Sequence, residues 1–481
     1  MNLQTELWID GRPVGGPDRI DVVNPATGMP AASVALADRE MIGGAIESAQ
    51  QAARHWQRTS AAQRAELLRT VARKMLEDQD QLARIITTEQ GKPLVQSVGE
   101  VQYAASFFQW FAEQARRLEG RIVSHPLPDR EYLLQPTPLG VVGLITPWNF
   151  PLALGAKKMA TALAAGCAAV WKPSELTPLT ALAMGPLLAG CGVPDGLVQI
   201  VPAIGPVAGE AFAGHSAMRV VSVTGSVRTG KAVMRAAARN LQKVSLELGG
   251  NAPFIVLPDA DLQQAAEDLL KLKLLVSGQV CVSANRVFAP AGQQEEFVEC
   301  LREKLATVRV GNGMNPDNHA GPLIHRQACD TIQSKVEQAC TAGAEIAVQN
   351  RIQPNSAELA GGSWFPPTVL TGVTDEMTVA CDELFGPVVS LLTYTHVKEA
   401  IERANSTPYG LAGYVYGQEI SRMRWVAESL EVGIVGVNEW RPLRAEVPFG
   451  GVKQSGIGAE GGTDGLEEFI HWKVLSLPKP E

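Results

Sequence analysis

No run in this 481-residue chain is long and apolar enough to cross a bilayer. The longest extends only from Met159 to Trp171 and is rich in alanine. A spanning helix needs roughly 20 such residues, so this run predicts a buried helix. Met1 to Glu6 hold neither a basic nor an apolar segment, which predicts no signal peptide. Cysteine is scarce: seven residues, an odd number, with no CxxC pair. That excludes a disulfide framework and a zinc site, and it predicts a metal-free protein of the reducing cytoplasm. Lysine and arginine form no long run and the net charge is -8, which excludes nucleic acid as a main partner. None of the seven histidines stands in a recognisable catalytic dyad.

What remains is an ordinary globular composition, with 46% hydrophobic and 19% charged residues. The length predicts two or three domains. Residues 7 to 35 alternate short apolar runs with turn signals, as strands do. From Asp38 to Glu119 the spacing is helical, interrupted at Gly91-Lys92-Pro93. Residues 121 to 136 read as a two-stranded excursion. Buried-type strands follow at 141–145, 168–172, 197–201 and 219–223, with helices between them. That alternation predicts a parallel α/β sheet. After Asn251 a second α/β set begins, with a strand at 254–257 and helices at 261–275, 293–308 and 326–342. Its later strands fall at 388–392 and 434–438.

Gly278-Gln279-Val280-Cys281 is the most informative segment. Most cysteines are small buried hydrophobes. Cys281 stands apart because Ser277, Gly278, Gln279, Ser283 and Asn285 surround it. Upstream, Glu247-Leu248-Gly249-Gly250 supplies a carboxylate. A thiol and an acid in glycine-bearing turns predict a nucleophile and its base. Asn149, after a strand, reads either as an oxyanion donor or as a helix cap. Thr224-Gly225-Ser226 links a strand to a helix, as a phosphate site or as a plain turn. Glu175, in Lys172-Pro173-Ser174-Glu175, reads as a ribose ligand or a helix-start residue. Glu383-Leu384-Phe385-Gly386-Pro387 reads as a ribose and ring contact or as a tight turn.

These motifs, with Pro147-Trp148-Asn149-Phe150 and Pro448 to Gly456, stand in one order along the chain. In that order the chain resembles the NAD(P)-dependent aldehyde dehydrogenases over essentially its whole length. Lys243 to Glu247 and Leu430 to Glu439 resemble the succinate-semialdehyde and related acid-semialdehyde branch. The resemblance implies a Rossmann-like cofactor domain (residues 1–120 and 141–247) and an α/β catalytic domain (248–460). It also implies a small β oligomerisation unit (121–140 and 461–481), and hence a homodimer or homotetramer. Cys281 would form a thiohemiacetal and then a thioester, Asn149 would hold the oxyanion, and Glu247 would activate water. Lys158 and Glu460 match a proton relay. Ile145, Trp148, Lys172, Ser174, Glu175, Gly205, Gly225, Ser226, Leu248, Glu383 and Phe385 match cofactor-contacting positions. Glu175 favours NAD, with NADP as the alternative, because a carboxylate repels a 2′-phosphate.

The substrate pattern departs from that branch. An arginine six residues before its nucleophile corresponds to Leu275, and a second corresponds to Lys157. The branch's late serine-bearing loop is replaced by Trp440-Arg441-Pro442-Leu443-Arg444. Lys157 with Arg441 or Arg444 would bind an anionic tail, or the two arginines are surface charges. Trp440 and Phe107 to Trp110 would line a broader pocket or simply pack. Ser283 stands where some relatives have a second cysteine, so no disulfide joins those two positions. The expected substrate is an acid semialdehyde such as succinate semialdehyde, with neutral or aromatic aldehydes as the alternative. CoA-acylating chemistry is disfavoured because Glu247 is present.

Overall fold

The structure, a computed structural model, describes residues 3–350, 352 and 359–479. Two sheets organise it. In the first, five parallel strands run in the order Lys243–Glu247, Met218–Thr224, Val141–Ile145, Ala168–Lys172, Val198–Ile200. Gly456–Ile457 joins one edge antiparallel, and Leu7–Ile9 with Arg12–Val14 extends the other. The inner strands are nearly all apolar because helices cover both faces. The chain winds outward from Val141–Ile145 in one direction, then returns to its other side at Met218–Thr224. That reversal opens a crevice at the strands' carboxyl ends.

The second sheet orders Glu345–Gln349, Thr368–Thr371, Val388–Tyr394, Ala284–Pro290, Ala252–Val256, Ala412–Tyr416 and Ile434–Val437. All neighbours are parallel except the first pair. Arg121–Ser124, Arg130–Pro138 and the late strand Ile470–Pro478 form a separate antiparallel sheet. The expected helical stretch from Asp38 resolves into Arg39–Trp56, Ala61–Glu77, Gln79–Gln90 and Leu94–Ala115. The helix read at 261–275 is Leu262–Leu274, capped by the Asp261 side chain on Gln264 N–H.

That last helix turns Ala266, Leu269, Leu270 and Lys273 inward on one stripe. Burial alone pushes the Lys273 ammonium down from 10.5 to about 7. Its folded pKa therefore lies below its unfolded one, and between them the unfolded chain holds the extra proton. Stability rises with pH across that window. Lys273→Met is expected to raise the thermal midpoint most at pH 7 and below. The gain should shrink as pH climbs toward 10.5, read by thermal scans at several pH values. No gain at pH 7 would contradict the buried-charge cost.

Candidate active site

Cys281 follows a one-turn 3-10 segment, Leu275–Gly278, at the foot of the strand Ala284–Pro290. Val276, Ser277 and Gly278 carry φ values of 50°, 54° and 76°. Three successive left-handed residues fold the chain sharply back and present residues 279–281. Such a conformation in a β-branched valine costs on the order of 1–3 kcal/mol and needs surroundings that enforce it. Val276 N–H donates to Gln96 Oε1 at 2.9 Å, and Ser277 Oγ donates to the Gly321 carbonyl at 2.8 Å. The Gln279 amide spans the turn, donating to Val276 O at 2.9 Å and accepting from Ile324 N–H at 2.9 Å. Gly278 admits no larger residue, because a Cβ there would collide with the Gly386 carbonyl.

Burial pushes the Cys281 thiol up to about 12, and the charges of Glu383 and Glu247 act in the same direction. The Lys157 charge opposes them. The thiol therefore needs a base at hand. Glu247 ends the strand Lys243–Glu247, is 1% exposed, and has no hydrogen-bond partner on either oxygen among the described residues. Burial first, and then the nearby Glu460 charge, hold its pKa well above the ordinary carboxylate range.

Asn149 is buried, but it does not cap the helix Ala153–Ala165, whose cap position is Leu152. Its Nδ2 donates to the Gln279 carbonyl at 2.9 Å, and its Oδ1 has no partner among the described residues. An amide nitrogen has two N–H groups, so one remains to face a ligand. Lys157 and Lys158, on the helix Ala153–Ala165, grip the two oxygens of Glu460. Lys157 Nζ lies 2.5 Å from Oε2, Lys158 Nζ pairs with Oε1, and Lys158 also donates to Ser222 Oγ at 2.8 Å. Burial pushes Glu460 up, but the two ammonium groups outweigh it and hold the carboxyl below its usual range.

At the sheet's crevice, Trp148 stands edge-on to Phe385 with centroids 5.5 Å apart. Lys172 Nζ pairs with Glu175 at 2.6 Å, and the Ser174 hydroxyl accepts from Leu176 N–H. Ser226 caps the helix Val227–Ala237 through Thr229 N–H, and Gly205 opens the helix Gly205–Gly214. Leu248 packs against Gly230, while Ile145 ends its strand at the crevice. Glu383 accepts from Gly250 N–H at 3.1 Å, and burial raises its carboxyl to about 7. Thr224 Oγ1 is buried here without a partner among the described residues. An ammonium, a carboxylate, two rings, a helix N-terminus and an orphaned hydroxyl are a donor set that fits a dinucleotide.

A cavity of about 470 Å³ reaches Cys281 past Tyr103, Phe150, Trp440 and Phe449. Lys157 and Arg441 also line it, as does Leu275. Lys157 is not a free cation: Glu460 and the Phe449 ring, 4.2 Å away, already engage it. The Arg441 guanidinium lies 5.9 Å over the Tyr103 ring. Arg444 does not line the cavity. It bonds the Arg441 and Leu443 carbonyls at 2.7 and 2.8 Å and approaches Glu439, bracing its own loop. Phe107 and Phe108 are buried in the core, and Trp110 donates to the Gly462 carbonyl. Of the two aromatic suggestions, only Trp440 faces the cavity.

Sequence reasoning passed over Lys92, Gln96, Glu100 and the carbonyl of Gln279. The one signal was Gly91-Lys92-Pro93, read as a break between helices.

A profile described as the aldehyde dehydrogenase family matches residues 12–475. A probable succinate-semialdehyde dehydrogenase [NADP(+)] of Sinorhizobium fredii is 42% identical, covering 96% of this chain and 94% of its own length. A 3-sulfolactaldehyde dehydrogenase of Pseudomonas putida is 41% identical, with coverage of 99% and 97%. The solved structure of a Staphylococcus aureus betaine aldehyde dehydrogenase in complex with NAD+ superposes with a TM-score of 0.95 at 35% identity. It covers 99% of this chain and 95% of that one.

Proposed function

The chain belongs to the aldehyde dehydrogenase family, and on that premise we propose that it oxidises an acid semialdehyde to the carboxylic acid with NAD or NADP. One observation carries the chemistry: Glu247, buried with both oxygens unpartnered, shares its surroundings with the Cys281 thiol and the tethered Asn149 amide. Glu247 takes the thiol proton, and the thiolate forms a C–S bond to the aldehyde carbon. The second N–H of Asn149 Nδ2 and the backbone N–H of Cys281 hold the resulting oxyanion. Trp148, Lys172, Glu175, Gly225, Ser226, Glu383 and Phe385 would hold the dinucleotide, which when bound supplies the acceptor for the hydride leaving that carbon. Cys281 then carries a thioester. Glu247 removes a proton from water, hydroxide adds, the C–S bond breaks and the acid leaves. Lys158 and Glu460, whose charges act on Glu247, would carry protons away from it.

Arg441 supports the acidic substrate: at the cavity wall Lys157 pairs with Glu460 and Lys271 with Glu267, while no carboxylate among the described residues engages Arg441. Arg441→Ala is expected to raise KM for succinate semialdehyde by about 10- to 100-fold, the worth of a hydrogen bond to a charged group. KM for propanal should not move, read by absorbance at 340 nm. A second reading, an aromatic aldehyde, is favoured by the ring-rich wall and by the engagement of Lys157 with Glu460. Benzaldehyde outperforming every acid semialdehyde would select it.

A homodimer or homotetramer is supported by the apolar residues left exposed on the separate sheet, Ile122, Val123 and Val474 among them. No helix among the described residues is long and apolar enough to cross a membrane. Seven free cysteines suit the reducing cytoplasm.

A further inference from the structure

We infer that the segment from Lys92 to Glu100 is a bracket that sets the two oxyanion donors against each other, with Lys92, Gln96 and Glu100 as positioning residues. The inference rests on the thioester reading above.

One arm of the bracket holds Asn149. Lys92 Nζ donates to the Asn149 backbone carbonyl at 2.6 Å and to Glu100 Oε2 at 2.7 Å, above the Phe150 ring. The other Glu100 oxygen accepts Leu152 N–H at 2.9 Å and Ala153 N–H at 3.1 Å. Those N–H groups open the helix that carries Lys157 and Lys158, where no intrahelical acceptor exists. The ion pair therefore fixes Asn149 at both its own carbonyl and the turn that follows it.

The other arm holds the turn that leads to Cys281. Gln96 Oε1 accepts Val276 N–H at 2.9 Å, while Nε2 donates to the Leu274 and His319 carbonyls at 3.2 and 3.3 Å. These contacts flank the left-handed turn that presents the thiol. Gln96 and Glu100 are one helical turn apart on the same face. A single short segment thus bonds both the Asn149 backbone and the turn that leads to Cys281, which belong to the loops of different sheets. The side chains of Lys92 and Glu100 are fully buried. Burying two charges costs several kcal/mol per ion, and an apolar pair would pack more cheaply. An apolar pair, however, would leave the Asn149 carbonyl and the Leu152 and Ala153 N–H groups unbonded and Asn149 free to shift. A misplacement of about 1 Å costs on the order of 10²-fold in rate.

The test uses the full-length protein and three readouts. Hydrolysis of p-nitrophenyl acetate needs the oxyanion donors but no cofactor: the thiolate forms a C–S bond, nitrophenolate leaves, and water then releases acetate. Alkylation of Cys281 by iodoacetamide forms a C–S bond with no oxyanion. KM for NAD reports the crevice. The double variant Lys92→Met with Glu100→Gln should lose about 100-fold in ester hydrolysis and in kcat for aldehyde. Its alkylation rate and KM for NAD should stay unchanged. Gln96→Ala should show the same split with a smaller loss, and it decides alone if the double variant does not fold. Retained ester hydrolysis overturns the bracket. So does an equal loss in ester hydrolysis and alkylation, because general loosening would produce it. Cys281→Ala separates the two levels: ester hydrolysis surviving in that variant overturns the thioester reading itself.

Discussion

Cys281→Ala should abolish NAD(P)H formation with every aldehyde, a fall of at least about 10⁴-fold, the scale on which a nucleophile's loss is felt. The unfolding midpoint should stay in place, because the loop is held by Gln96, Ser277 and Gln279, not by the thiol. None of the other six cysteines can substitute. Cys167, Cys300 and Cys329 are buried in hydrophobic clusters. Cys191, Cys340 and Cys381 do not line the cavity. Residual turnover within tenfold of the parent, checked at 340 nm, would remove Cys281 from the reaction.

Glu247→Gln should separate the two halves of the reaction. Steady-state turnover should fall by roughly 10²- to 10⁴-fold, the usual share of a general base. A burst of NAD(P)H should survive, because the Cys281 thioester can still form but water is not activated. The burst should also slow, since a thiol pushed up to about 12 must then ionise unaided. In the parent enzyme, Glu247 becomes a base only above its raised pKa, so turnover should climb with pH beyond the ordinary carboxylate range. That limb should vanish in the variant, while its burst rate keeps rising with pH as thiolate accumulates. Rapid-mixing traces at several pH values read both effects. A variant with parental steady-state turnover would exclude Glu247 as the base.

The strands of the first sheet were legible because burial on both faces leaves plain apolar runs, as in Val141–Ile145 and Ala168–Lys172. The strand Ala284–Pro290 escaped notice because Asn285 and Arg286 interrupt it. Both are buried and bonded to distant partners: Asn285 to Asn251 and the Asp382 carbonyl, and the two terminal nitrogens of Arg286 to the carbonyls of Asn251, Arg403 and Ala404. Such distant partners leave no local pattern. Ala412–Tyr416 was hidden by its opening Ala-Gly pair.

At the site, Cys281, Glu247 and Asn149 could be read because each sits in a glycine- or proline-marked turn at a strand end. The Lys92–Glu100 pair could not, because Lys92 falls in the break between two helices and a charge on a helix, as at Glu100, ordinarily marks its wet face. Its burial follows only when Asn149 folds onto it from residues 57 positions away. Arg444 follows the surface-charge alternative, because a loop cation points wherever its own carbonyls draw it.

Intact mass of Glu247→Gln after one turnover with succinate semialdehyde and cofactor tests the central claim most directly. The account predicts a single added acyl group per chain, with the mass of the aldehyde less two hydrogens, located on the peptide that contains Cys281. An NAD(P)H burst with no added mass, or an adduct on another cysteine, would contradict it.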